Sequence, residues 1–62
     1  MEGLDGMYFD VYKDNAGEWR WRLHAGNGKL IANSGEGYKN KGDLHKAIIL
    51  VKASKDAPIK GL

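Results

Sequence analysis

At 62 residues and 6.9 kDa, the chain has room for one small domain, whose core buries only about 60% of the surface that the unfolded form exposes. It contains no cysteine and only two histidines, His24 and His45, which excludes disulfides, thiolate metal sites and a cysteine nucleophile and leaves too few ligands for a histidine metal site. The net charge of +2, with 42% hydrophobic and 29% charged residues, fits a soluble globular protein. No apolar run approaches the roughly 18 residues that a membrane span requires.

The start of the chain is acidic and glycine-containing, unlike the basic-then-apolar pattern of a secretory signal. The expected location is therefore cytoplasmic, and no membrane partner is expected. Residues 1–6 read as a flexible N-terminus, 7–54 as a β-β-β-α core, and 57–62 as a further strand that could be exchanged with a second copy. Charge is unevenly spread. Residues 1–38 carry four cations against six acids, a balance of −2, whereas from Lys39 onward six lysines face Asp43 and Asp56, a balance of +4. That is a modest field, and most of it reads as a solvated helix face.

Three strands are predicted first. Tyr8-Phe9-Asp10-Val11-Tyr12 is rich in aromatics, and Trp19-Arg20-Trp21-Arg22-Leu23-His24 alternates between large apolar and basic residues. Leu30-Ile31-Ala32-Asn33 is shorter. Asn15-Ala16-Gly17 suits a three-residue hairpin loop with Gly17 in the left-handed position, and Asn27-Gly28 suits the centre of a two-residue type I′ turn. The first loop opposes Tyr12 to Arg20, Asp10 to Arg22 and Tyr8 to His24, alternating with Lys13–Trp19, Val11–Trp21 and Phe9–Leu23. The second turn places Ala32 opposite Leu23 and Ser34 opposite Trp21. One face then collects Phe9, Val11, Trp19, Trp21, Leu23, Leu30 and Ala32. The other collects Tyr8, Asp10, Tyr12, Arg20, Arg22, His24, Ile31 and Asn33.

A glycine-rich connection, Ser34 to Tyr38, leads to a helix with Asn40 as its predicted N-cap and Asp43 in its first turn. Leu44, Ala47, Ile48 and Val51 form an apolar stripe that should lie on the tryptophan face, while Ile49 and Leu50 fall outside it. Pro58 ends any helix, and Ile59-Lys60 could form a short final strand. The fold class is α+β, an antiparallel sheet with one helix packed on one face.

Several residues could carry chemistry. Arg20 and Arg22 share a face with Tyr8, Tyr12 and His24, which suits an anionic ligand such as phosphate or carboxylate with a ring stacked nearby. Simple cross-strand pairing accounts for the same residues if Arg22 meets Asp10 and Arg20 stacks on Tyr12. Trp19 and Trp21 could form a stacking platform, but their inward register favours core packing, with Trp19 the more exposed. Gly35-Glu36-Gly37 precedes a helix, yet it lacks the lysine and hydroxyl residue of a phosphate loop and reads as a turn. Ser34 and Ser54 have no partner histidine suggested by spacing, and no catalytic residues, metal ligands or cofactors are assigned.

From Phe9 to Val51 the chain resembles the YegP-like family of small, mainly bacterial proteins of unknown function. The elements that carry the likeness are Phe9-x-Val11-Tyr12-Lys13-Asp14, Gly17-Glu18-Trp19-Arg20-Trp21-Arg22-Leu23, Asn27-Gly28, Ile31-Ala32-x-Ser34, Gly37-Tyr38 and Ala47-Ile48-x-x-Val51-Lys52. The resemblance implies a β-β-β-α-β unit, single or in tandem, in which two units share one sheet and exchange C-terminal strands. A chain with one unit is then expected to be a homodimer, which also answers the thin core and gives Ile49, Leu50 and Ile59 somewhere to pack. The expected function is a non-enzymatic binding or interaction module using the Arg/Tyr face. The alternative is nucleic-acid binding through Arg20, Arg22 and the lysine-bearing helix.

Overall fold

The structure is a computed structural model that describes residues 5–62. Of the predicted flexible N-terminus, residues 1–4 lie outside the described residues, and Asp5-Gly6 form an exposed turn. Three strands, β1 (Tyr8–Lys13), β2 (Trp19–His24) and β3 (Leu30–Asn33), form an antiparallel sheet in the order β1-β2-β3. One helix, α1 (Lys41–Lys52), follows, with a short 3₁₀ turn at Ala53–Asp56.

The β1–β2 register has the predicted pairs throughout, from Lys13 opposite Trp19 to Tyr8 opposite His24. Its loop is closed by the Gly17 N–H donating to the Asp14 carbonyl at 3.0 Å, with Gly17 at φ +80°. A residue bearing a Cβ is strained at that angle, so glycine here sets the register of the hairpin.

The second hairpin differs from the sequence reading. A type I′ turn needs positive φ at both central residues, and Asn27 has no positive φ, whereas Gly28 stands at +88°. The Gly28 N–H donates to the Ala25 carbonyl, and the Ala25 N–H to the Lys29 carbonyl, both at 2.8 Å. The loop is thus the three-residue kind found in the first hairpin. It moves the pairing by one, so that His24 faces Leu30. A bulge at Ile31 then restores the predicted pair of Leu23 with Ala32. Leu30 is carried to the side of His24 and is 54% exposed, so it does not join the core.

Past β3 the chain stays beside β2. Ser34 is buried and receives the Trp21 N–H on its hydroxyl at 3.2 Å while donating its own N–H to the Trp21 carbonyl at 2.9 Å. Tyr38 and Trp19 exchange two backbone hydrogen bonds of 2.7 and 2.9 Å. These contacts bring Gly37 so close to Glu18 that an added Cβ would sit 2.7 Å from the Glu18 Cβ. Gly35-Glu36-Gly37 is therefore an exposed bend whose last residue, Gly37, is closely packed.

Asn40 caps the helix as predicted. Its side chain accepts the Asp43 N–H at 2.9 Å and donates to the Asp43 carboxylate at 2.8 Å. Of the predicted stripe, Leu44, Ile48 and Val51 join the core and Ala47 is half-buried, and Trp21, Leu44 and Ile48 are the buried centre of the core. Phe9 meets Trp21 edge-on, ring centroids 5.5 Å apart. Ile49 and Leu50 point away from the sheet and are exposed. Residues 57–62 take no regular structure in the single chain, so Ile59-Lys60 is not a strand within it, and Ile59 and Leu62 are exposed. Among the described residues, no helix is long and apolar enough to cross a membrane.

The close approach at Gly37 has a direct consequence. Gly37→Ala should destabilise the fold by about 1–3 kcal/mol through overpacking against Glu18. Gly35→Ala, where a Cβ would meet nothing within 4 Å, should leave stability nearly unchanged. Urea unfolding of the two variants measures the difference.

Candidate functional site

Strand alternation sends Tyr8, Asp10 and Tyr12 of β1 and Arg20, Arg22 and His24 of β2 to the sheet face opposite the helix. The five predicted site residues, Tyr8, Tyr12, Arg20, Arg22 and His24, therefore do share one surface. Their mutual contacts differ from simple cross-strand pairing.

Both arginines reach diagonally toward the β1–β2 turn. Arg22 lays its guanidinium over the Tyr12 ring, 4.2 Å from the centroid. Arg20 donates from Nε to the Asp14 carboxylate at 2.6 Å. The expected Arg22–Asp10 pair and Arg20–Tyr12 stack are thus replaced by neighbours one step along the strand. Diagonal partners in an antiparallel pair lie within reach of long side chains, and Asp14 is held ready to receive one. Its Oδ1 accepts the backbone N–H groups of Ala16 and Glu18, each at 2.9 Å, leaving Oδ2 for Arg20.

This arrangement divides the arginines by role. Arg20 is tied to the hairpin and only partly exposed. Arg22 is exposed and, among the described residues, has no carboxylate partner, so its N–H groups remain available to a ligand. At the other end of the face, Tyr8 and His24 stack with centroids 5.0 Å apart and planes 17° from parallel. The His24 Nδ1 lies 3.2 Å from the Gly28 carbonyl oxygen, which fixes the ring against the second loop. Together these groups make two shelves, Arg22 on Tyr12 and His24 beside Tyr8, with the exposed carboxylate of Asp10 between them in sequence. Such a surface has the groups to bind an anion at Arg22 and to stack a planar group.

The helix lysines do not belong to this face. Trp21 joins the helix on the other side of the sheet, so Arg22 and the lysine-bearing helix form two separate basic surfaces. Trp19 is half-buried and Trp21 buried, as their positions along β2 suggested. The ammonium groups of Lys13 and Lys41 lie 5.4 and 4.9 Å from the Trp19 ring centroid, leaving Trp19 unsuited to stack a base. Among the described residues, no group of three or more His, Cys, Asp or Glu side chains is placed to hold a metal ion. Asp14, one of the acidic residues clustered at this hairpin, is not predicted as the partner of Arg20, although Asp-x-x-Gly spacing at a three-residue loop is the signal that marks it as held by its own turn.

The hydrogen bond from Arg20, followed by the backbone N–H of Glu18, holds the Asp14 carboxyl below its usual range. A lowered folded-state value means that Asp14 contributes stability above the unfolded-chain value near 3.8, and that this contribution is lost as pH falls through the folded value. Asp14→Asn should therefore flatten the fall of stability with pH below about 4. Thermal unfolding of both proteins between pH 2 and pH 6 checks the sign.

Comparison with known proteins places this geometry in a wider group. A family model described as a domain of unknown function (DUF1508) matches residues 14–60. A UPF0339 protein of Neisseria meningitidis serogroup B is 49% identical over 55 residues, covering 87% of this chain and 96% of that protein. A UPF0339 protein of Stutzerimonas stutzeri is 48% identical over 50 residues, which are 81% of this chain but only 42% of that longer protein. The NMR solution structure of a protein from Haloferax volcanii superposes with a TM-score of 0.80 at 38% identity, covering 95% of both chains.

Proposed function

Because the chain belongs to the DUF1508 family, whose uncharacterised members include the UPF0339 proteins, we propose a function from the site: a non-enzymatic, homodimeric binding module that meets its partner through the Tyr8, Tyr12, Arg22 and His24 face. The observation that carries this reading is the exposed guanidinium of Arg22, seated over the Tyr12 ring and without a carboxylate partner among the described residues. The ring contact restricts the side chain, so an anion can be met with less further ordering.

Dimerisation is supported by the two open sheet edges, β1 and β3, and by the exposed apolar side chains of Ile49, Leu50, Ile59 and Leu62. Unpaired edges and apolar groups of this kind are normally covered. Exchange of residues 57–62 between copies would cover both kinds of surface at once. The Stutzerimonas stutzeri protein is long enough to hold a second unit of this size in one chain. Cytoplasmic action remains part of the proposal.

Light scattering over a concentration series should give twice the 6.9 kDa chain mass, and a persistent monomer contradicts the dimer. The chemistry of the face is read by titrating a single-stranded and a duplex oligonucleotide at low and high salt, following emission anisotropy. Salt-sensitive binding that Arg22→Ala weakens, with a log–log salt slope shallower by about 0.7 for one lost single-strand phosphate contact, identifies the partner as nucleic acid. An absence of binding even at low salt directs the face to a protein partner. In that case capture by wild-type protein must exceed capture by Tyr12→Ser/Arg22→Ser, and equal capture contradicts the assignment of the face.

A further inference from the structure

The helix crosses the sheet over β2, packing on Trp21, and leaves the core-facing side of β1 partly bare. Val11 shows the consequence: it faces the helix side of the sheet opposite Trp21, yet it is 37% exposed. Between β1 and the first two turns of α1 lies an open groove of about 430 Å³, lined by Val11, Lys41, Gly42, Leu44, His45 and Ile48. That volume is within the range of small-molecule sites, about 300–1,000 Å³.

The lining is strongly one-sided in chemistry. Val11 is the exposed aliphatic wall, Leu44 and Ile48 lie almost wholly buried beneath the groove, and Gly42 contributes no side chain to fill the space. None of the six lining residues is acidic, and the cation among them, Lys41, stands at the N-terminal end of the helix. Lys13 comes to the same end from β1, since both ammonium groups lie within 5.4 Å of the Trp19 ring centroid. Nothing in the Tyr/Arg face on the other side of the sheet contributes to this groove.

We propose that the groove is a second binding site, independent of the Arg22 face, and that it takes a medium-chain aliphatic carboxylate. The anionic end meets Lys41 and Lys13, and the chain lies along Val11 and His45, above the buried Leu44 and Ile48. An aliphatic chain suits the groove because Val11, Leu44 and Ile48 are branched aliphatic groups and the one ring in the lining is the His45 imidazole, while Lys13 and Lys41 already attend the Trp19 ring. From Lys41 to Ile48 the helix rises about 10 Å, which matches a tail of roughly eight carbons.

The test uses the full chain, isotopically labelled, with sodium octanoate as the probe and amide chemical shifts as the readout. Saturable shifts should centre on Val11, Gly42, Leu44, His45 and Ile48, leaving Tyr8, Tyr12 and Arg22 still. Lys13→Gln/Lys41→Gln should weaken binding about three- to tenfold, as expected for two partly screened ion pairs, and neutral octanol should bind more weakly than octanoate. Both lysines are exposed, so the variant should keep the folded spectrum. Absence of saturable shifts, equal binding of octanol, or shifts on the Arg22 face would each overturn the proposal. So would lining amides that ignore octanoate but move on protein dilution, because a second copy of the chain would then occupy the groove.

Discussion

Everything else in this small protein is arranged around one contact, the seating of Leu44 and Ile48 of the helix on Trp21 of the central strand. With three buried side chains at its centre, the core cannot spread across the whole sheet. It is reinforced where it can be. Phe9 meets the Trp21 ring edge-on, and the Ser34 hydroxyl satisfies the Trp21 backbone N–H that β3 is too short to reach. Each buried polar group near the contact is thereby paired, which a marginal core requires. Because the helix sits over β2, one flank of the inner face stays open at Val11, and none of the described residues forms a layer over the outer face.

That asymmetry separates the groups that fold the chain from those of the proposed binding face. The inner face carries the tryptophans and the helix stripe. The outer face carries groups that hold one another in fixed orientations: Arg20 on Asp14, Arg22 on Tyr12 and His24 on Tyr8. Exposed pairs of this type add little to folding, about 0.5–1 kcal/mol for a cation–π contact. They also reduce the freedom of exposed side chains, as the proposed binding face requires.

Much of this was legible in the sequence, and the parts that were not have identifiable physical causes. Strict alternation from Trp19 to His24, together with Gly17 at a left-handed position, determined the β1–β2 register and hence both faces. Asn40, Asp43 and the Leu44–Val51 stripe gave the helix and the face that it buries. Asn27-Gly28 misled because the same dipeptide suits two turns. Gly28 alone takes positive φ here, and the one-residue change is absorbed by the bulge at Ile31, leaving only Leu30 misplaced. Membership of the site was visible in the alternation, but the partner of each arginine was not. Diagonal reach depends on strand twist and on a carboxylate already held by its own loop, as Asp14 is. The groove beside Val11 depends on where the helix crosses the sheet, and an apolar stripe does not encode that crossing.

The claim that the inner face folds the protein while the outer face is kept for binding is tested most directly by comparing two variants in urea. Tyr12→Ser/Arg22→Ser removes the central stack of the outer face and should cost no more than about 1 kcal/mol. Leu44→Ala empties the centre of the core and should cost about 2–5 kcal/mol. Near-equal losses would contradict the account, because the outer face would then be part of what holds the fold together.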